Sequence, residues 1–460
     1  MSYVVIGAGI TGLVAAHCLA QVVGGERVIV IERAPVVGGL LAGCTDPQRG
    51  LYFDFGTHIF RESGHADLDR LLVGAIDPAL LQRYPTGRGA LAGAVIDGGL
   101  QAHTHYPDVR LRTDYPELMA SLHRRAQAGP VGAIDPTLPL LDVAAERFGA
   151  EYARAALGPL LGRLFRTDPE TLSAFAMLLP GVTRVVAHDT DDWLASLALS
   201  GGKGMFAVPD QRQMPSALEN PLQRYYGGAQ GTRALADGLA AQLQACGVRI
   251  LTRCELQAFD PATPSVTWRD AAGDVHHCDA AGVILTAGVV GAAHLLKVAS
   301  VASGPRHAHL AYQCVLDRPI DSDLSYFYNY DLAHPYFRVT HYGAFSGVQD
   351  DCRLTVEVLL PQADMPAPDP ASLVTALREV GFLDNHQLVS AHRVSLPGSF
   401  PFPTVQNAAM TARAAAAVES LRLPEHVLLL GAGSSQRFFQ NDVLIHAYDA
   451  TREWAGVTVG

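Results

Sequence analysis

The residues whose types and spacing most clearly do chemistry lie at the start of the chain. Gly7-Ala8-Gly9-Ile10-Thr11-Gly12 follows a short β-branched run, Tyr3-Val4-Val5-Ile6, and opens a helical stretch from Leu13 to Gln21. A second apolar run, Val28-Ile29-Val30-Ile31, ends on Glu32. Strand, glycine turn, helix, strand and terminal carboxylate in that order form a dinucleotide-binding fingerprint. Gly7 permits the tight turn, Gly9 lets backbone approach a pyrophosphate, and Gly12 lets helix and strand close on each other. The helix N-terminus offers unpaired N–H groups and a partial positive charge to the phosphates. Glu32 is expected to accept hydrogen bonds from ribose hydroxyls, and its charge disfavours the 2′-phosphate of NADP.

Further candidates extend this site. Arg33 and the loop ending in Gly38-Gly39-Leu40 lie just past the acid, where paired glycines bring backbone close to a ligand. Phe53-Asp54-Phe55-Gly56-Thr57-His58 is a short strand leading to a glycine and a histidine, Gly56 and His58. Val248 begins another short strand, 248–251. The run His426-Val427-Leu428-Leu429-Leu430 meets Gly431-Ala432-Gly433, and a closing helix is expected from about Asn441, with Val443 in its first turn, to Trp454. That is a second strand–glycine–helix unit. Backbone contacts of this kind reach past the span of NAD toward a longer cofactor.

The elements that must position these residues set the rest of the chain. At 460 residues it exceeds one growing core, so several domains are expected. Residues 1–65, 226–300 and 406–460 read as three parts of one Rossmann-type α/β cofactor domain. Residues 66–225 read as a mostly helical insertion, with a loop or lid at 189–222. Residues 301–405, with alternation such as Tyr326-Phe327-Tyr328, read as an antiparallel-sheet substrate domain. The formal net charge of -11 and the lack of a dense basic block exclude nucleic acid and anionic membranes as natural partners. No apolar run is long enough to span a membrane. With no signal-peptide pattern at the N-terminus, the expected location is cytoplasmic. The seven cysteines are scattered without a CxxC, so thiols are expected rather than a disulfide framework, and no metal site.

Taken together, VVIGAGITGL, ERAPVVGG, FDFGTHIF, GGAQGTRALADGLA and the closing LLLGAG…VLIHAY resemble the FAD-dependent amine-oxidase-type flavoproteins, which include protoporphyrinogen oxidases, phytoene desaturases and UDP-galactopyranose mutases. The resemblance implies that FAD is the cofactor, its adenosine and pyrophosphate at the N-terminal fingerprint, its adenine beside the strand near Val248 and its flavin end near the C-terminal glycine turn. Within this class the chain is most similar to UDP-galactopyranose mutase. His58 stands where the mutases place a histidine beside the flavin. The stretch from Phe165 to Phe175, followed by Pro180-Gly181-Val182-Thr183-Arg184, resembles the mutase segment whose arginine grips the nucleotide diphosphate; that role falls to Arg184. Pro335-Tyr336-Phe337-Arg338-Val339 resembles the strand of the second diphosphate arginine, here Arg338. Phe400-Pro401-Phe402-Pro403 matches an aromatic-proline turn. Where the mutases stack tryptophan on uracil this chain has Phe165, and where they carry tyrosines after the last glycine turn it has Ser434-Ser435-Gln436-Arg437-Phe438-Phe439.

Two readings of function follow from the resemblance. In the first the substrate is a small molecule, a nucleotide diphosphate sugar, held by Arg184 and Arg338. Its ring size is isomerised through a flavin–sugar adduct, with His58 orienting flavin or sugar. In the second the chain is an oxidase or desaturase, with Tyr326, Tyr328, Tyr330, Tyr336, Phe438 and Phe439 lining an apolar cavity. The only lysines, Lys203 and Lys297, lie in no motif, which weakens the amine-oxidase form of that reading.

Overall fold

Each apolar run that ends in glycine becomes a parallel strand. In a computed structural model, described for all residues except 85–89, 299–303, 363, 397–399, 434–436, 438 and 460, and for the backbone alone at 457–459, Ser2–Ile6 is the middle strand. It pairs in parallel with Val28–Ile31, Val5 opposite Val30, and with Val275–Leu285, Val5 opposite Ile284. Arg249–Leu251 adds to the outer side of Val28–Ile31, and Val427–Leu429 to the outer side of Val275–Leu285. All four residues of Val28–Ile31 are buried, as befits a parallel strand covered on both faces. Helices Ile10–Val23, Arg233–Ala245 and Gln440–Val459 contribute Leu13, Leu19, Leu235, Leu239 and Leu444 to one shared core. The eleven-residue strand Val275–Leu285 has two roles. Its second half joins the parallel sheet, and its first half pairs antiparallel with Ser265–Arg269, which pairs with Glu255–Asp260.

These elements make one of two compact units, residues 1–83, 222–303 and 410–460. The other, residues 84–221 and 304–409, is built on an eight-stranded sheet. Its strands Arg306–Leu316, Arg353–Leu360, Arg338–His341 and Leu324–Asn329 are antiparallel neighbours in that order. Alternation sorts their side chains by face. Phe327, Val339 and Val356 belong to one core cluster, and Tyr328 and Phe337 to another, which also holds helices Tyr115–Ala128, Leu140–Phe148 and Gly158–Phe165.

Three expectations need correction. Residues 66–225 are not one helical insertion: Ala66–Ala75 packs Leu68 and Leu72 into the core of the first unit. The strands Leu91–Ile96 and Gly99–Gln101 join the sheet of the second, the former parallel to Leu324–Asn329, so insertion and sheet segment form a single unit. The signal lay in Asp97-Gly98, whose φ values of 50° and 81° are those of a two-residue hairpin turn. Within 189–222, read as a loop, Thr190–Ser196 is a helix that buries Trp193. Among the described residues no helix is long and apolar enough to cross a membrane.

Candidate cofactor and substrate sites

In the first unit, glycine segments follow the carboxyl ends of four parallel strands, the place where open α/β sheets bind ligands. The Gly7 N–H donates to the Ile31 carbonyl (2.8 Å), turning the chain at once from strand to helix. A Cβ on Gly12 would lie 1.9 Å from the Gly7 carbonyl oxygen, so only glycine lets the helix start this close to the strand. At Gly9 the space beyond Cα is open, and no side chain caps the helix that begins at Ile10. The Gly38 N–H donates to the Ala8 carbonyl (2.7 Å), which sets the paired glycines against this turn. Thr286, which sequence reasoning passed over, lies on the other side. Its hydroxyl donates to the Ile6 carbonyl (2.8 Å), and the turn it begins meets the C-terminal glycines through Val289 N–H on the Ala432 carbonyl (3.2 Å).

Glu32 is already engaged. Its two carboxylate oxygens accept from Ala8 N–H and Ala34 N–H, both at 2.7 Å, so it ties the first glycine turn to the loop after the second strand. A carboxylate offers about four lone-pair sites, which leaves acceptor capacity for hydroxyls. Arg33, Gly39 and Leu40 are exposed, Gly38 and Gly56 buried. Val248 is buried in the core at the foot of its strand. Gly431 is buried, Gly433 is half-buried, and Val443 is buried in the closing helix. Asn441 donates through Nδ2 to the Glu62 carbonyl (3.4 Å). Half-buried His58 places Nε2 3.2 Å from the Phe55 carbonyl oxygen.

One buried carboxylate holds three of the sequence motifs together. Asp54, fully buried, accepts from the Tyr52 hydroxyl (2.9 Å), the Tyr226 hydroxyl and Thr232 N–H (3.0 Å), and the Thr232 hydroxyl lies 2.7 Å away. That hydroxyl is also 3.0 Å from the Leu41 carbonyl oxygen, next to the paired glycines. Gly231 leaves the room: a Cβ there would lie 2.6 Å from the Asp54 carboxylate. The aspartate stood in plain sight between two phenylalanines, but nothing local in the sequence marks its partners 170 or more positions away.

In the second unit the two arginines differ. Arg338, Glu357 and Tyr328 are register partners on three adjacent strands and so share a face. Arg338 gives Nε and Nη2 to the Glu357 carboxylate (2.6 and 2.8 Å) and Nη1 to the Tyr328 hydroxyl (3.1 Å). His309 Nε2 is 2.8 Å from the same carboxylate. Burial opposes both charges, but each supports the other. The Glu357 carboxylate holds Arg338 charged well above its ordinary range, and Arg338 with His309 holds Glu357 well below the usual carboxylate range. Three of the five Arg338 N–H groups are thus committed within the protein, which leaves two. Arg184 is exposed and forms no ion pair among the described residues. Phe165, at the base-stacking position, is fully buried against Phe337 and Phe400. Tyr330 and Tyr336 are core residues, Phe439 is partly exposed, and Phe438 lies outside the described residues together with Ser434–Gln436.

The comparisons with known proteins agree with this geometry. The profile of the NAD(P)-binding Rossmann-like domain family matches residues 5–73. No curated protein sequence matches the chain significantly. Among solved structures, a reduced UDP-galactopyranose mutase aligns with a TM-score of 0.69 at 14% identity, covering 99% of this chain and 96% of that one. A candidate protoporphyrinogen oxidase from Exiguobacterium sp. 255-15 aligns at 0.66 and 17%, covering 99% of each. A putrescine oxidase double mutant, redesigned in cofactor binding, aligns at 0.61 and 14%, covering 100% of this chain and 98% of that one. The fold is thus shared with these mutase and oxidase structures over the whole chain, with a Rossmann-like domain at its start. Mutase and oxidase structures share it at similar distance, so the fold alone does not choose between them.

Proposed function

We propose that the chain is an FAD-dependent enzyme acting on a nucleotide sugar in the manner of a UDP-galactopyranose mutase, by ring-size isomerisation. The observation that carries the cofactor assignment is the joined set of glycine turns at the strand ends, from Gly38-Gly39 through Gly7–Gly12 and Thr286 to Gly431–Gly433. The residues fit such a cofactor: Gly9 faces open space, the first helical turn is uncapped, and Glu32 keeps acceptor capacity. Gly7, Gly9, Gly12, Gly38 and Gly39 would hold the pyrophosphate by backbone, Glu32 the ribose, and Gly431 and Gly433 the far end. When bound, the flavin supplies either a nucleophilic nitrogen in its reduced form or a hydride acceptor in its oxidised form. The protein's share is binding and orientation. Arg184 offers a full guanidinium fork to a diphosphate, and Arg338 two further N–H groups.

The second reading, an oxidoreductase on a small organic substrate, draws support from the neutralised Arg338 and the buried Phe165, since both weaken a nucleotide-specific site. One assay separates the two. Dithionite-reduced protein given UDP-galactopyranose should form the five-membered-ring isomer, seen by anion-exchange chromatography. Hydrogen peroxide from aerobic protein and an amine or polycyclic substrate, with UDP-galactopyranose inert, would establish the oxidoreductase instead.

A further inference from the structure

Helices of the first unit enclose a cavity of about 520 Å³, and no residue of the glycine turns lines it. That volume is in the range of small-molecule sites. Each helix presents side chains one turn apart, which share a face. Ile10–Val23 gives His17 and Gln21, Ala66–Ala75 gives Asp67 and Leu71, and Gln440–Val459 gives Tyr448 and Arg452. Gln242 of Arg233–Ala245 completes the wall, its Nε2 donating to the Gly74 carbonyl (3.0 Å). Gly74 keeps the space open. It has no positive φ, and a Cβ there would meet no atom within 4 Å, so neither backbone strain nor close packing asks for glycine. In a helix glycine is the less stable choice against alanine or leucine.

The polar groups are held but not used up. Arg452 gives Nη1 to the Tyr448 hydroxyl (2.8 Å) and lies over the Tyr448 ring, 5.3 Å from its centre. His65 packs edge-on against the same ring (4.9 Å), which fixes it. Four Arg452 N–H groups are left. Asp67 pairs with Arg70 (3.0 Å). The lining thus carries two guanidiniums against one carboxylate, a positive cavity on a chain of net charge -11. Burial lowers the pKa of His17 below 6.5, so near neutral pH its imidazole donates at one nitrogen and accepts at the other. Among the described residues neither His17 nor Gln21 has a side-chain hydrogen bond. Val22, Leu71 and the Tyr448 ring supply the apolar surface.

We propose that this cavity is a second ligand site, for a small aromatic carboxylate: Arg452 takes the carboxylate, His17 and Gln21 a hydroxyl, and Leu71 and Val22 the ring. A planar guanidinium fork matches a carboxylate with two charge-assisted bonds. The apolar share of the wall selects an organic anion over inorganic phosphate, which has no apolar body to bury. The site shares helix Ile10–Val23 with the fingerprint but none of its contacts, so it stands whichever reaction takes place at the flavin end.

The test is calorimetric titration of the holoprotein with 3-hydroxy-2-naphthoate, beside its uncharged analogue 3-hydroxy-2-naphthamide. The carboxylate should bind saturably, and the amide roughly tenfold or more weakly, for want of the charged hydrogen bonds. Arg452→Gln should lose the preference for the carboxylate. Gly74→Leu, whose side chain enters the open space, should abolish binding of both compounds and melt no lower than the wild type, leucine being the better helix former. No saturation at millimolar naphthoate, equal affinity for the amide, or naphthoate affinity unchanged in Arg452→Gln overturns the proposal. So does full affinity in a folded Gly74→Leu, which would put the compound elsewhere on the molecule. Arg452 is exposed, so its variant carries the test even where Gly74→Leu fails to fold.

Discussion

At the scale of the residue, the informative side chains are those whose charge is or is not matched. Glu357 is wholly buried, and among the described residues Arg338 and His309 are the groups that pair with its charge. Removing that charge strands a buried guanidinium, so Glu357→Gln should cost about 3–5 kcal/mol of stability, read as a lower urea midpoint. Replacing both members, Glu357→Gln with Arg338→Met, should recover much of the loss, because an apolar pair has no charge to strand. An unchanged midpoint for Glu357→Gln would show that the pair is not the structural unit its geometry implies. None of this was legible from the sequence. Arg338 could be found by its motif, but its partner lies two strands' worth of chain away, and only the register brings them together. Glu32, by contrast, was legible in position and charge, although its two backbone partners were not.

At the scale of the element, strand–glycine–helix units were readable because the rules that make them are local. Buried β-branched runs, a turn that only glycine can take and a helix starting on it follow one another within a dozen residues. The hairpin at Asp97-Gly98 was equally local, but the surrounding Leu and Ala richness masked it. The Asp54 network was not local at all. It joins the segment around Tyr52 to Tyr226 and Thr232, and through the Leu41 carbonyl it steadies the paired glycines. Asp54→Ala leaves a buried amide and two phenols without their acceptor and should cost about 2–4 kcal/mol. The flavin-to-protein absorbance ratio of the purified variant should fall with it. A variant that unfolds earlier yet keeps full cofactor would mean that the network supports the fold and not the cradle.

At the scale of the whole molecule, buried histidines make stability depend on acidity. Burial pushes His307 down to about 4 from 6.5, and burial also lowers His188 and His341. As pH falls below 6.5 the unfolded chain takes up protons that the folded chain refuses, so stability should decline from about pH 6.5 to pH 4 and be level above that window. Thermal melts across this range should show that slope, and His307→Phe should flatten it. In the proposed function, the glycine turns at the ends of the parallel strands would hold the adenosine half of FAD. The most direct measurement is the cofactor released on denaturing the purified protein, identified by chromatography in wild type and Gly12→Ala. About one FAD per chain is expected in the wild type, as befits a single fingerprint, and little or none in Gly12→Ala, where the new Cβ meets the Gly7 carbonyl. A wild type that releases NAD, or that carries no flavin even after incubation with FAD, would contradict it.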